Sequence, residues 1–133
     1  MESSKSLRWK QRFETFEQSF IKLAPFNEEL FENELEEAGF IHFFEVAWEH
    51  GINTIIDYLD AQELPVDSHR QAIKEAKDFP FVKDDKVWLK ALNRQNLTLY
   101  IHTDKVRHEL IEDIQTHYFD QLNHFYHTLK QEL

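Results

Sequence analysis

Residues 93–104 read NRQNLTLYIHTD and concentrate more chemistry than any other stretch of the chain. Arg94 presents a planar fork of donors that can hold a phosphate. His102 is of the residue type that can move a proton at neutral pH. Asn96 and Tyr100 add hydrogen-bonding groups on the same segment. Read as one helix, Asn96 and Tyr100 share a face, while Arg94 and His102 stand about 80° apart with an axial offset of about 12 Å. Glu45, between Phe44 and Trp48, is the preferred acidic member of a pocket with Arg94 or Arg70. Two isolated glycines cannot build a phosphate loop or a dinucleotide fingerprint. Any nucleotide must therefore be held by arginine, polar side chains and aromatic stacking, for which Trp48 and Trp88 are the candidates beside Tyr100. No cofactor is implied.

Other constellations are weaker. His108 and Glu112 have helical i, i+4 spacing, and His117, His124 and His127 follow on nearby turns. That pattern lacks HExxH or a paired ExxH, and no third ligand can be named, so no metal site is assigned. Glu45 and Asp57 lie about 18 Å apart along a straight helix, too far to act on one bond. No nucleophile elbow occurs.

The elements that must position these groups follow from periodicity. Trp9, Phe13, Phe16, Phe20 and Leu23 recur every three or four positions, a helical stripe that Pro25 stops. A second long helix is expected from as early as Asn27 to Asp60, with Phe40, Phe43, Phe44, Ala47, Trp48, Ile55, Ile56 and Leu59 on one broad face. Gly39 and Gly51 interrupt it, each at about 1 kcal/mol relative to alanine. Asp67 or Ser68 caps a short helix over 69–77. After Pro80, Asp84 or Asp85 caps a fourth helix carrying Val87, Trp88, Ala91 and Leu92 towards Tyr100. The last helix, 103–131, sets Val106, Leu110, Ile114, Tyr118, Leu122, Phe125 and Leu129 along its seam. This predicts an all-α, up-and-down antiparallel bundle of four or five helices, one domain over residues 1–133.

Composition agrees with that architecture and excludes much else. Of 133 residues only two are Gly and three Pro, too few for a turn-rich β protein. There is no cysteine, which removes disulfides and thiolate metal sites. The stretch MESSKSLRWKQRFE is polar and mixed in charge, unlike a secretory leader, and no apolar run reaches membrane-span length. A cytoplasmic domain without membrane association is expected. The net charge of −10 is segregated. No Lys or Arg lies between Leu23 and His69, whereas Arg70 to Arg107 holds nine of the fifteen basic residues. An acidic whole argues against general nucleic-acid binding, although a local basic face can meet a phosphate. Twelve Phe, four Tyr and three Trp give stripes so aromatic that a second copy is expected to cover some of them.

Four blocks, in order, carry a family resemblance: LRWKQRFETFEQSFIKL, FIHFFEVAWEHGINTIIDYLDAQ, VDSHRQAIKEA, and Trp88 with RQNLTLY. Together they resemble the nucleotidyltransferase substrate-binding proteins of the HEPN superfamily over nearly the whole chain. The resemblance implies a homodimeric helical bundle that pairs with a separate small nucleotidyltransferase chain, often as a toxin–antitoxin couple. In such couples the HEPN member can be a ribonuclease, with Arg on the phosphate and His moving the proton for attack by a ribose 2′-hydroxyl.

This chain departs from that pattern. Aligned without gaps, Gln95 falls where the family has Arg, Tyr100 where it has His, and His102 where it has Tyr. Asn96 matches, and Arg94 sits one residue early. A tyrosine with pKa near 10 is a poor general base. Ile41 and Glu49 also replace a Glu and a Lys of the second helix, while Glu45 keeps its acid.

The reading is a noncatalytic partner subunit of a small nucleotidyltransferase, with Glu45, Trp48, Arg70, Trp88, Arg94, Asn96, Tyr100 and His102 as binding candidates for nucleotide or RNA. The alternative is a metal-independent ribonuclease using Arg94 and His102 across a homodimer. A third is an adaptor whose acidic face, Glu28 to Asp67, meets a basic protein.

Overall fold

A computed structural model describes residues 3–95 and 103–133 of the chain. Six α-helices form it: α1 (Ser4–Leu23), α2 (Glu34–Ala61), α3 (His69–Ala76), α4 (Asp85–Gln95), α5 (Asp104–Asp113) and α6 (Phe119–Lys130). A 3₁₀ turn, Ala24–Phe26, follows α1, and a π turn, Ile114–Tyr118, joins α5 to α6. Among the described residues there is no β-strand.

Local signals set most boundaries. Ser3 accepts from the Ser6 N–H and opens α1, and Pro25 falls in the 3₁₀ turn that ends it. Ser68 and Thr103 cap α3 and α5 in the same way, accepting from Gln71 and Val106. Asp84 accepts from the Lys86 N–H at 3.0 Å ahead of α4. α2 begins at Glu34, not near Asn27. Asn33 is its N-cap, accepting from the Glu36 N–H at 2.9 Å while its own amide donates to the Glu36 carboxylate. The Asn33 oxygen thus satisfies a helix-end donor, whereas Asn27 closes the preceding 3₁₀ turn and its amide donates to the Gln115 carbonyl at 3.3 Å.

Side-chain pairs fix the directions. Lys5 at the start of α1 pairs with Asp60 at the end of α2 at 3.6 Å, and Gly51, further back on α2, lies against Phe16, further along α1, so these helices are antiparallel. Arg12 donates to Asp57 at 2.9 Å between them. Phe13 stacks on Tyr126 and Phe20 on Phe119, which sets α6 antiparallel to α1. Phe44 meets Tyr118, and Tyr58 donates to Glu132 at 2.8 Å, so α2 and the α5–α6 rod run in parallel. In α4, the Asp84 N–H donates to the Gln121 side chain while Arg94 pairs with Asp113, an antiparallel match. The result is an up-down-up-down bundle, with α3 as a short addition between α2 and α4.

The core is largely aromatic. Trp9, Phe13, Phe16, Phe20 and Leu23 are all buried, as their spacing predicts. Phe125 lies edge-on to Phe16, Phe81 and Trp88, contacts worth about 0.5–1.5 kcal/mol each beyond simple burial. Two members of the predicted stripes do not join: Phe43 and Val106 are exposed. The broad face drawn on α2 wraps further around the helix than the three neighbouring helices can cover.

A second tie crosses the bundle. Arg107 donates to Glu37 at 3.1 Å, with both side chains buried, and it also pairs with Asp104 and with Glu34 at 3.5 Å. His108 lies 2.7 Å from the other Glu37 oxygen.

Candidate functional site

α4 places Val87, Lys90 and Arg94 on one side, with Asn93 beside them. They face Asp113, His117 and Tyr118 across an open cleft of about 490 Å³. The far wall owes its shape to the π turn. The Phe119 N–H donates to the Ile114 carbonyl, a five-residue spacing. On a regular α-helix Asp113 and Tyr118 would be about 140° apart. Here the wider turn brings both to Arg94.

Arg94 is the hub. One terminal nitrogen donates to the Asp113 carboxylate and lies 3.4 Å from the Tyr118 hydroxyl. Burial disfavours its charge, but the hydrogen bonds to Tyr118 and Asp113 outweigh that and hold its pKa above the usual arginine value. The guanidinium is therefore permanently charged and fixed in place, with donors to spare. On its inner side lies a narrow apolar hollow of about 10 Å³, lined by Phe44, Glu45, Trp48, Ala91 and Leu110. Arg94 and Tyr118 line both spaces and so stand between the open cleft and the apolar hollow.

Lys90 is exposed in the cleft wall and has no ion-pair partner among the described residues. Arg70 on α3 donates to the Asn93 carboxamide oxygen at 2.8 Å. This orients Asn93 and leaves its amide hydrogens to serve as donors. Lys90, Arg94 and Asn93 thus present donors together, against one carboxylate that Arg94 already occupies. Such a cleft suits an anionic, phosphate-bearing group.

The sequence candidates divide accordingly. Arg94 lies at the centre, Glu45 lines the inner hollow, and Arg70 reaches the cleft only through Asn93. Trp48 and Trp88 are buried core residues whose rings lie 6.1 Å apart. Trp48 also lines the hollow. Asn96, Tyr100 and His102 lie outside the described residues. Asp57, considered with Glu45, is bound by Arg12 on the opposite helix. Among the described residues no group of three or more His, Asp or Glu could hold a metal ion, and no helix is long and apolar enough to cross a membrane.

Lys90, Asn93 and Asp113 were not named as site residues, His117 was weighed only as a metal ligand, and Tyr118 was placed only in the seam of the last helix. Lys90 follows from α4 periodicity once Arg94 is taken as the anchor, being one turn back on the same side, and Asn93 lies one turn on from Lys90. Asp113 and His117 have no comparable signal, because an α-helical register turns Asp113 away from Tyr118.

Residues 11–131 match the family described as nucleotidyltransferase substrate binding protein like. No curated protein matches the chain.

Proposed function

Because the chain belongs to the nucleotidyltransferase substrate binding protein like family, we propose that it is the noncatalytic partner of a separate small nucleotidyltransferase chain. In this reading the Arg94 cleft holds a phosphate-bearing group of the substrate while the partner carries out transfer. The observation that carries it is the fixed Arg94, tied to Asp113 and Tyr118 beside an open cleft that also holds Lys90 and Asn93. A guanidinium locked in this way is preorganised for binding and loses little freedom when a ligand arrives. Homodimer formation and a toxin–antitoxin setting belong to the same proposal.

Calorimetric titration with ATP, used as a phosphate-bearing probe, tests the cleft. Binding by the wild type that weakens at least tenfold in Arg94→Ala, with circular dichroism unchanged, is the expected result. Equal binding by both proteins overturns the assignment of the cleft. RNA cleavage that survives a chelator and is lost in Arg94→Ala would instead favour the ribonuclease alternative. Purification from the source cell with mass spectrometry tests the partner: a stoichiometric small nucleotidyltransferase is expected, and a bare homodimer counts against the pairing.

A further inference from the structure

Where α1 gives way to α2, the surface carries an aromatic groove of about 180 Å³ lined by Phe26, Phe31, Glu36, Gly39, Phe40 and Phe43. Phe26 and Phe43 stand 6.1 Å apart by ring centroid, and Phe31 lies 4.9 Å from Phe40. Phe26 is 42 % exposed and Phe43 36 %. A Cβ built on Gly39 meets nothing within 4 Å, so the groove has an open floor. Leu35, one turn before Gly39 on α2, and Leu30 in the preceding loop are 82 % and 92 % exposed. Apolar surface gathered in this way marks a contact site more often than chance.

The groove lies in a strongly acidic stretch. Glu28, Glu29 and Glu32 sit in the loop that carries Phe31, all exposed. None of the three forms an ion pair among the described residues, whereas Glu34 and Glu37 are taken up by Arg107. No Lys or Arg occurs between Leu23 and His69. Lys22 lines a separate, polar furrow that shares Phe43.

Charge decides between occupants. A two-fold interface sets one patch against itself. A second copy here would press Glu28, Glu29 and Glu32 against the same glutamates, at a cost in repulsion. A cationic occupant gains where a second copy loses. We propose that this groove docks a partner protein through a short cationic segment bearing one bulky apolar side chain. That side chain enters over Gly39 between Phe26 and Phe43, while its lysines or arginines face Glu28, Glu29 and Glu32. Aromatic anchors in a pocket with a charged rim are the usual carriers of such affinity. The inference does not rest on what the Arg94 cleft binds.

The test uses the full chain and a fluorescent peptide with two lysines on either side of a Leu-Phe pair, followed by anisotropy. Saturable binding is expected, together with no binding of the peptide in which glutamates replace the lysines. Gly39→Phe fills the groove from its open floor and should weaken binding at least tenfold. Gly39→Ala should leave it within twofold of the wild type. Phe43→Ser, which alters a wall instead of the floor, should also weaken it tenfold. Affinity equal in the wild type, Gly39→Phe and Phe43→Ser would mean that the peptide follows overall negative charge, and would overturn the proposal. So would absence of wild-type binding, or a concentration-dependent dimer that Gly39→Phe abolishes.

Discussion

Arg107 and Glu37, 70 positions apart in the chain, meet as a buried ion pair that ties the start of α5 to the first turn of α2. A buried pair adds little over apolar packing, but removing one member strands the other without water. Glu34 touches the same arginine from an exposed position. Glu37→Ala should therefore lower the thermal midpoint clearly, and Glu34→Ala hardly at all. Equal losses in the two variants would show that the burial of Glu37 has no energetic consequence.

Tyr118 joins the core to the cleft, since its ring packs on Phe44 and its hydroxyl meets Arg94. Tyr118→Phe keeps the ring and removes one hydrogen bond, which should cost about 1 kcal/mol in urea unfolding. Arg94→Ala should cost a similar amount, because the Arg94–Asp113 pair is only partly buried. The double variant should fall short of the sum by about 0.5 kcal/mol or more, as groups in one network do. Strict additivity would mean that the 3.4 Å contact carries no energy.

Glu17 links α1 to α6. It accepts from the Tyr126 hydroxyl at 2.6 Å and from Lys130 at 3.0 Å, and these bonds hold its pKa below the ordinary 4.5. A depressed carboxylate contributes stability above its unfolded pKa and loses it as pH falls through the folded value. Glu17→Gln should thus cost up to about 1 kcal/mol at pH 7, with the two stability curves converging below pH 4.5. Urea unfolding from about pH 3 to 7, which spans the carboxylate range, checks this, and a gap that widens in acid would contradict it.

The two glycines of α2 should respond differently to enlargement. Alanine at Gly39 meets open space and should stabilise the helix by about 0.5–1 kcal/mol. At Gly51 a Cβ would lie 3.4 Å from the Phe16 ring and 3.6 Å from Leu122, ordinary contact with no room beyond. Gly51→Ala should be tolerated, while Gly51→Leu should cost roughly 1–3 kcal/mol through overpacking. Chemical denaturation of the three variants checks the order.

The aromatic stripe of α1, the Ser68 cap of α3 and the seam from Leu110 to Leu129 were legible because each depends on local periodicity or capping. The start of α2 was also readable in principle: Asn33 precedes Glu36 by three, the spacing of a reciprocal cap. Overlooking it lengthened the expected helix. Phe43 and Val106 show the limit of periodicity, which marks an apolar face without saying how much of it has a neighbour. For the cleft, Arg94 stood out by chemistry alone. Its partners Asp113 and Tyr118 did not, since their common orientation requires a π turn that the residues 114–118 do not announce.

That π turn makes α5 and α6 one rod with two phases. The residues before it and those after it are set by different angular references, as if the rod had been cut, rotated and rejoined. Forcing residues 114–118 into a regular α-helix with none removed would turn either Asp113 from Arg94 or the Tyr118-to-Leu129 seam from the core, whereas excising one residue such as Thr116 would set Asp113 and Tyr118 four positions apart and keep both faces. With every residue of that turn retained, the widened spacing is what keeps Asp113 beside Arg94 and the Tyr118-to-Leu129 seam on the core.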